Sequence, residues 1–243
     1  MIKGIYTSAS GMIPRIKQQE ITANNIANVS TPGFKRDRIF AKELSKAEVK
    51  RLPQKNDWQK PMVNRVYTDY NQGIFDKTGN PLDVAIDGDG MFTLQMQDGT
   101  TVLTRSGSFI VNQDGLLAFP GGALVVGEGG PIEVGSGEVS VSQAGDIEVD
   151  GGRVGKLVPV TVVDLTELNK IGGSFYVVPE DAELIQVEKY SIQQGFLEAS
   201  NVDIVSEMID MIVAFREYEA GAKSIQAQDQ SLENLFRRVG GGS

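Results

Sequence analysis

The sequence predicts an α+β fold with a long helix at each end of the chain and an all-β domain, similar to a barrel or a sandwich, between them. Apolar residues recur at alternating steps of four and three in both terminal segments, which is the period of helices that pack along a shared seam. The middle of the chain changes to short β-branched runs separated by glycine turns, a pattern typical of antiparallel strands.

The C-terminal stripe extends from residue 204 to residue 239, and only Asp229 interrupts it. A helix of that extent would be about 55 Å long, which exceeds the usual length in a compact domain, so it needs a partner along its length. Its apolar members are Ile204, Met208, Met211, Phe215, Tyr218, Ala222, Ile225, Leu232, Phe236 and Val239.

The N-terminal stripe has the same spacing, and only Gln19 is polar. Its apolar members are Ile2, Ile5, Ala9, Met12, Ile16, Ala23 and Ile26. Because a 3.5-residue repeat keeps one seam facing another helix, we expect the two terminal segments to pair as a coiled coil, within one subunit or between subunits. The alternative is an amphipathic helix that packs on a globular core. Gly11 and Pro14 predict a break or kink near residues 10–14.

The patterns divide the chain into five segments. Pro32 ends the first helical pattern, since it lacks an amide hydrogen and restricts the residue before it. The charged stretch that follows contains Pro53 and Pro61 and could hold a short helix at Ala41–Arg51. The predicted segments are a helix at 1–33, an extended connector at 34–75, a β domain of about ten strands at 76–195, a helix at 196–239, and a flexible tail at 240–243, either native or a cloning remnant.

Composition excludes several classes of function. The net charge is −9, and residues 71–202 contain six basic and nineteen acidic residues, a net charge of −13 that repels nucleic-acid phosphates. The chain has no cysteine and no histidine, so disulfides, the usual zinc ligands and the usual neutral-pH base are absent. We therefore expect no metal, no cofactor and no nucleic-acid partner.

The chain also lacks the sequence signals of membrane targeting. The first residues contain no apolar run of the kind found in a signal peptide, and Asp210 interrupts the apolar run Met208–Phe215. We expect no membrane span, and an export route other than a cleaved signal peptide if the protein leaves the cytoplasm.

Two loops imitate ligand sites without their required residues. Asp87-Gly88-Asp89-Gly90 suggests a calcium loop, but methionine and phenylalanine follow where an oxygen ligand and a glycine are needed. Gly151–Lys156 is too short for a phosphate loop and lacks its serine or threonine. A pair of acidic residues within 71–202 could still support hydrolysis, so an acidic β-domain hydrolase with a dimerising coiled coil remains the alternative from another class.

Several motifs resemble those of one family. The runs Ser8–Met12 and Ile21–Arg36 resemble the N-terminal signature of bacterial flagellar rod and hook proteins, and Gln194–Asp203 resembles the entry to that family's C-terminal helix. Asp83–Phe92 and Thr104–Phe109 resemble its middle-domain motifs. The second run carries the pattern ANNxANxxTPGFK, whose marked residues here are Asn24, Asn25, Asn28, Thr31, Pro32, Gly33 and Phe34.

The resemblance implies a structural subunit of the flagellar basal-body rod, without catalysis, that polymerises into the axial drive shaft between motor and hook. The terminal helices would form an inner domain whose apolar stripes are the polymerisation seam. The implied partners are further copies, other rod and hook-basal-body proteins and the flagellar type III export apparatus. The implied location is the periplasmic rod, reached without a cleavable signal peptide. Gly127–Ile132 resembles the proximal-rod member, and the distal-rod paralogue is the alternative.

Overall fold

The computed structural model describes residues 2–41, 63–179 and 182–240. The chain divides into two compact units. The helical unit consists of residues 1–27, 37–69 and 203–243, and the β unit of residues 28–36 and 70–202. The predicted α+β class is confirmed. The suggested helix at 41–51 apart from Ala41, half of the predicted connector (residues 42–62) and the tail residues 241–243 lie outside the described residues.

In its described residues, the helical unit contains two helices and one pair of antiparallel strands. Helix α1 spans Ile2–Ala27 and helix α2 spans Ile204–Gly240. Strand β1, Asp37–Ala41, pairs antiparallel with strand β2, Val63–Thr68. Part of the segment predicted as an extended connector is therefore a two-stranded sheet.

Both helices are shorter at the linker side than the predicted segments that contain them. Helix α1 ends at Ala27 instead of residue 33, because the following segment turns, with the amide of Thr31 donating to the carbonyl of Asn28 at 3.0 Å. Helix α2 begins at Ile204, inside the predicted segment 196–239 and at the first residue of the predicted stripe. Asp203 caps it by accepting from the amide of Val205 at 3.0 Å.

Helix α1 passes through Pro14 without interruption, so the predicted break at residues 10–14 is wrong, and the alternative of a kink there stays a prediction. Proline cannot donate to the carbonyl four residues earlier, which is that of Ser10, and a proline inside a helix costs about 3 kcal/mol. Tertiary packing along the whole of α1 outweighs that local cost.

The β unit is a series of strands of two to five residues, shorter and more numerous than predicted. Glycine turns at positive φ, such as Gly99 and Gly115, separate them. The strands are β3 (Phe75–Lys77), β4 (Val84–Gly88), β5 (Phe92–Gln95), β6 (Thr101–Thr104), β7 (Ile110–Val111), β8 (Leu117–Ala118), β9 (Leu124–Gly127), β10 (Gly130–Pro131), β11 (Val139–Val141), β12 (Asp146–Val149), β13 (Gly152–Lys156), β14 (Val160–Val162), β15 (Asn169–Lys170), β16 (Phe175–Val177), β17 (Leu184–Gln186), β18 (Tyr190–Gln194) and β19 (Phe196–Glu198). A short 3₁₀ helix spans Leu165–Glu167.

The strands pair in several open sheets. The largest has the order β15-β16-β6-β5-β9-β8-β7, with β10 added to β9. Strands β11, β12 and β13 form a second sheet, and β14–β17, β18–β4 and β19–β3 are separate pairs. Within the described residues no barrel closes, so that part of the prediction is wrong. The glycine turns keep the strands short and divide the pairing among small sheets.

A closed apolar core holds these sheets together. Phe92 and Phe109 pack edge to face with ring centroids 5.2 Å apart, a favoured arrangement of aromatic rings. Around them lie fully buried aliphatic side chains from several strands, including Ile86, Leu94, Val102, Val125, Ile147 and Ile192. The β unit therefore has an apolar core of its own, although some apolar residues such as Ile74 and Val163 lie on its surface.

Candidate assembly surface

The two terminal helices pack against each other in antiparallel directions. Arg15 Nε lies 2.8 Å from Glu217 Oε2, and Ser8 Oγ lies 3.4 Å from Ser224 Oγ. The side chain of Gln228 lies against Gly4. Each step towards the start of α1 thus meets an equal step towards the end of α2. The last turns of α2 extend past the start of α1, and Phe236 there is 75% exposed.

The structure separates the predicted seam residues into two groups. The partly buried group is Ile5, Met12, Ile26, Met211, Tyr218, Ala222, Ile225 and Leu232. The exposed group is Ala9, Ile16, Ala23, Ile204, Met208, Phe215 and Phe236. The side chains of Ile2 and Val239 lie outside the described residues. Of the two apolar positions in most heptads, one therefore faces the partner helix and the other faces outwards.

The positions one residue earlier replace the exposed group in the helix contact. On α1 these are Ser8, Arg15 and Thr22, and on α2 they are Glu207 and Ala214, all buried or partly buried. Gly221 and Gln228 continue the same row of α2 at seven-residue spacing and are partly buried. Small side chains allow the helices to approach closely, since a Cβ on Gly221 would lie 2.8 Å from Cγ of Met12. An apolar pattern misses these residues because they are small or polar.

A buried polar contact fixes one end of the helix pair. Asn25 Nδ2 donates to Glu207 Oε2 at 3.2 Å and to the carbonyl of Asp37 at 2.9 Å. Asn25 Oδ1 accepts from the amide of Asp37 at 2.9 Å. Because a polar group in such a seam is satisfied in one alignment only, this contact specifies the register of the helices and attaches β1 to them.

An apolar surface remains on the outside of the helix pair. We call it the outer stripe, and its α2 part lies in the first three turns of that helix. Its members there are Val205, Met208, Ile209, Ile212, Val213 and Phe215, each about half exposed or more. Ile13 and Ile16 of α1 are also exposed. Contiguous apolar surface of this kind is typical of an interaction site.

The family-motif residues lie in two different parts of the structure, the end of α1 and the β unit. Asn25 belongs to the helix seam, and Asn24 is exposed near the end of α1. Asn28, Thr31 and Pro32 lie partly buried in the turn that follows α1, where Thr31 Oγ1 donates to Asn28 Oδ1 at 3.2 Å.

Gly33 and Phe34 are embedded in the β unit. Gly33 has φ +69°, and a Cβ there would lie 2.5 Å from the carbonyl carbon of Arg105. Phe34 is completely buried, with Lys170 Nζ 3.8 Å from the centroid of its ring. The end of the motif therefore anchors the chain in the β unit and is not part of a helix.

The acidic turn that resembles a calcium loop contains an internal cation. Asp87 and Asp89 are exposed, whereas the carbonyls of Gly88 and Gly90 accept hydrogen bonds from the guanidinium of Arg105. Among the described residues no three acidic side chains form a group that could hold a metal ion. In the same residues no helix is both long enough and apolar enough to cross a bilayer.

Three family models match the chain along its length. The model described as "Flagella basal body rod protein" matches residues 5–35, and "Flagellar hook protein FlgE/F/G D1 domain" matches residues 85–149. The model described as "Flagellar basal body rod FlgEFG protein C-terminal" matches residues 193–238. The matched segments include most of both helices and most of the large sheet.

Known proteins are similar over nearly the whole chain. "Flagellar basal-body rod protein FlgF" of Caulobacter vibrioides is 32% identical over 243 residues, covering 99% of each chain. "Flagellar basal-body rod protein FlgG" of Bacillus subtilis is 30% identical over 260 residues, covering 97% of this chain and 98% of its own. The FlgG protein of Buchnera aphidicola from Baizongia pistaciae is also 30% identical, over 97% of this chain.

These relatives are structural proteins and not enzymes, so the hydrolase alternative has no support. The chain belongs to the family of flagellar basal-body rod proteins and is a structural subunit of the basal body of the bacterial flagellum.

Proposed function

We propose that the subunits polymerise through the outer stripe into a helical rod that transmits torque from the motor to the hook. The observation that carries this proposal is the exposure of apolar heptad positions on a helix whose other apolar positions already face a partner. Met208 and Phe215 are 49% and 57% exposed in the single subunit. A side chain of this size gains about 1.5–3 kcal/mol on full burial, so the outer stripe favours contact with another copy.

The heptad repeat gives this second contact its geometry. An apolar repeat of 3.5 residues keeps the outer stripe on one side of the helix, where a neighbouring helix can pack by knobs-into-holes contacts. The complete polymerisation seam then has two parts, one within the subunit and one between subunits. We expect the outer stripe to meet a different patch of the next copy, which makes the contact heterologous and allows it to continue into a helical assembly.

The opposite net charges of the two terminal segments favour pairing of α1 with α2. Residues 1–36 contain five basic and one acidic residue, whereas residues 203–239 contain four basic and seven acidic residues. Exposed pairs contribute only about 0–1 kcal/mol each, so they select register and partner more than they stabilise. We expect α2 of one copy to meet α1 of the next.

Within the rod we propose the proximal position, with the distal paralogue as the alternative. The support is the segment Gly127–Ile132, which resembles the proximal member. In the structure β9 and β10 form a tight hairpin there, in which Gly130 pairs with Gly127. Crosslinking in isolated basal bodies distinguishes the two positions, because a proximal and a distal subunit have different neighbours.

We also propose that the subunit reaches the periplasmic part of the rod through the flagellar type III export apparatus and without cleavage. N-terminal sequencing of the protein from isolated basal bodies tests this proposal. The expected result is a chain that retains Ile2 and the residues after it, and a chain trimmed within α1 would contradict it.

The central experiment places a charge on the outer stripe. Met208→Asp and Phe215→Asp are expected to abolish rods, seen by electron microscopy of basal bodies, because a carboxylate would be buried without a partner. The thermal unfolding of the β unit should remain within about 0.5 kcal/mol of the parent, since both positions are exposed.

Gln230→Asp is the matched control, because it adds the same charge at an exposed position of α2 outside the outer stripe. It is expected to support normal rods and swimming. Normal motility in both outer-stripe variants would refute the proposed surface.

A further inference from the structure

The β unit contains a completely buried carboxylate that binds two cations. Glu198, at the end of β19, is 0% exposed, and its partners Lys35 and Arg105 are 3% and 5% exposed. Lys35 Nζ donates to Glu198 Oε1 at 2.5 Å, and Arg105 Nε donates to Glu198 Oε2 at 2.5 Å. The amide of Gly73 donates to Glu198 Oε1 at 2.8 Å.

Main-chain carbonyls accept further hydrogen bonds from the two cations. The guanidinium of Arg105 donates to the carbonyl of Ile86 at 2.7 Å, to that of Gly88 at 2.6 Å, and to that of Gly90. The ammonium of Lys35 donates to the carbonyl of Asn71 at 2.8 Å. Two buried positive charges thus share one carboxylate, and carbonyl dipoles compensate for the difference.

The same carboxylate lies where both ends of the β unit continue towards the helices. The segment 33–36 follows α1 and the segment 198–201 precedes α2, and their main chains are hydrogen-bonded. The amide of Gly33 donates to the carbonyl of Glu198 at 2.7 Å, and the amide of Asn201 donates to the carbonyl of Phe34 at 3.4 Å. The amide of Arg36 also donates to Asn201 Oδ1 at 2.8 Å.

We propose that Glu198 is a positioning residue that fixes the two linker segments to the β unit at one point. Its side chain binds the first linker through Lys35, the acidic turn through Arg105, and the segment before β3 through Gly73. Its own backbone begins the second linker. Loss of the charge therefore releases both linkers from the β unit together, which should weaken torque transmission in the rod.

An ordinary stabilising contact would behave differently. A core side chain contributes to global unfolding, so its loss accelerates exchange of all core amides alike. Release of the linkers is a local opening, which accelerates only the amides that the linkers protect. Hydrogen exchange measured residue by residue in the full-length subunit separates these two behaviours.

The first experiment compares Glu198→Gln with Glu148→Gln, the same change at an exposed position of β12. In Glu198→Gln, exchange of the amides of Gly33, Gly73 and Asn201 should rise by about tenfold more than exchange of the core amide of Leu94. In Glu148→Gln all four amides should keep the parent rates. An equal rise at all four amides in Glu198→Gln would overturn the positioning role.

Lys35→Met keeps the inference testable if Glu198→Gln fails to fold. It removes one cation and leaves the pair of Glu198 and Arg105 balanced, so the β unit should fold. Gly33 and Asn201 should lose protection while Leu94 keeps it. Unchanged protection at Gly33 and Asn201 would count against the proposal.

A second experiment uses Arg105→Ala and restores the lost cation from solution. The variant leaves Glu198 and three carbonyls without their guanidinium, so guanidinium chloride at low millimolar concentration should bind and restore protection of Gly33 and Asn201. Urea has nearly the same shape without the charge and should not restore it. Equal effects of both compounds, or no effect of either, would contradict a cation site at this place.

The part of the inference that concerns torque rests on the proposed function, and motility tests it separately. Loss of swimming in Glu198→Gln, with local exchange as expected, supports both. Normal swimming together with released linkers would overturn the positioning role in the rod. This outcome would not bear on the proposed role of the outer stripe, because the variants at Met208 and Phe215 test that role separately.

Discussion

The two units differ in where their large apolar side chains lie. The β unit holds many of them in an interior core, whereas the helical unit exposes many of them on its surface. In the β unit Phe92 is 2% exposed and packs on Phe109 within a closed core. In the helical unit Phe215 is 57% exposed, and the buried side chains include the polar Thr22, Asn25 and Glu207. The β unit has a core of its own in a single copy. The helical unit exposes apolar side chains of the kind that a core normally buries.

This difference supports the proposal that the outer stripe is the assembly surface. A core that is buried within the chain stabilises the free protein, whereas an apolar helix face contributes only after contact with another copy. If the proposed assembly surface is correct, stability depends mainly on the β unit and assembly mainly on the helical unit. A substitution that affects one of these properties should leave the other nearly unchanged.

The sharpest test of the comparison is a pair of phenylalanine truncations. Phe92→Ala is expected to lower the free energy of unfolding of the β unit by about 3–5 kcal/mol, because it leaves a cavity in a closed core. Phe215→Ala should change the stability of the free subunit by no more than about 0.5 kcal/mol. Urea denaturation of both variants measures the difference. Similar losses in the two variants would break the proposed division.

A smaller effect is expected from two alanine substitutions at glycines with positive φ. Gly33→Ala should destabilise the β unit by about 2–4 kcal/mol, since the new Cβ meets the backbone of Arg105 and Ser106 in addition to the backbone strain. Gly79 has φ +73° and open space around it, so Gly79→Ala should cost only about 1 kcal/mol. Thermal unfolding compares them, and equal costs would show that residue 33 does not anchor the chain.

The smallest effect concerns an exposed ion pair on α2. The hydrogen bond from Lys223, together with its charge, holds the pKa of the Glu219 carboxyl below its usual value. Lys223→Ala should raise that pKa, which NMR titration of the Glu219 side chain measures. A depressed pKa stabilises the folded state above the unfolded pKa, and this contribution is lost as pH falls through the folded value. Because both groups are exposed, no change in the unfolding midpoint is expected.

The heptad spacing predicts the two helices but not the faces that they bury. The spacing of Met208, Met211 and Phe215 shows that these residues lie along one side of the helix. It does not show whether α1 covers that side or the side next to it. Small and polar residues such as Gly221 and Glu207 decide the side, because they permit close approach and specify register. No apolar pattern reports these properties, so the prediction places Met208 and Phe215 in a contact that the single subunit does not make.

The place of the linkers could be predicted only in part. Phe34 is a large apolar residue within a charged stretch, and that isolation is a signal for burial that the segment boundaries overlooked. Glu198 follows Phe196 and Leu197, and an acidic residue in such a run is equally typical of an exposed strand position. Its two partners are distant in sequence, so only the fold brings Lys35 and Arg105 to it.

The unequal lengths of the two helices give the subunit a direction. Helix α2 has 37 residues and α1 has 26, so several turns at the end of α2, including Leu235 and Phe236, have no α1 residue beside them. A protruding single helix differs from the other end of the pair, where Asn25 and Glu207 close the contact. Copies that join end to end through this protrusion must all point the same way. The resulting rod would have two unlike tips.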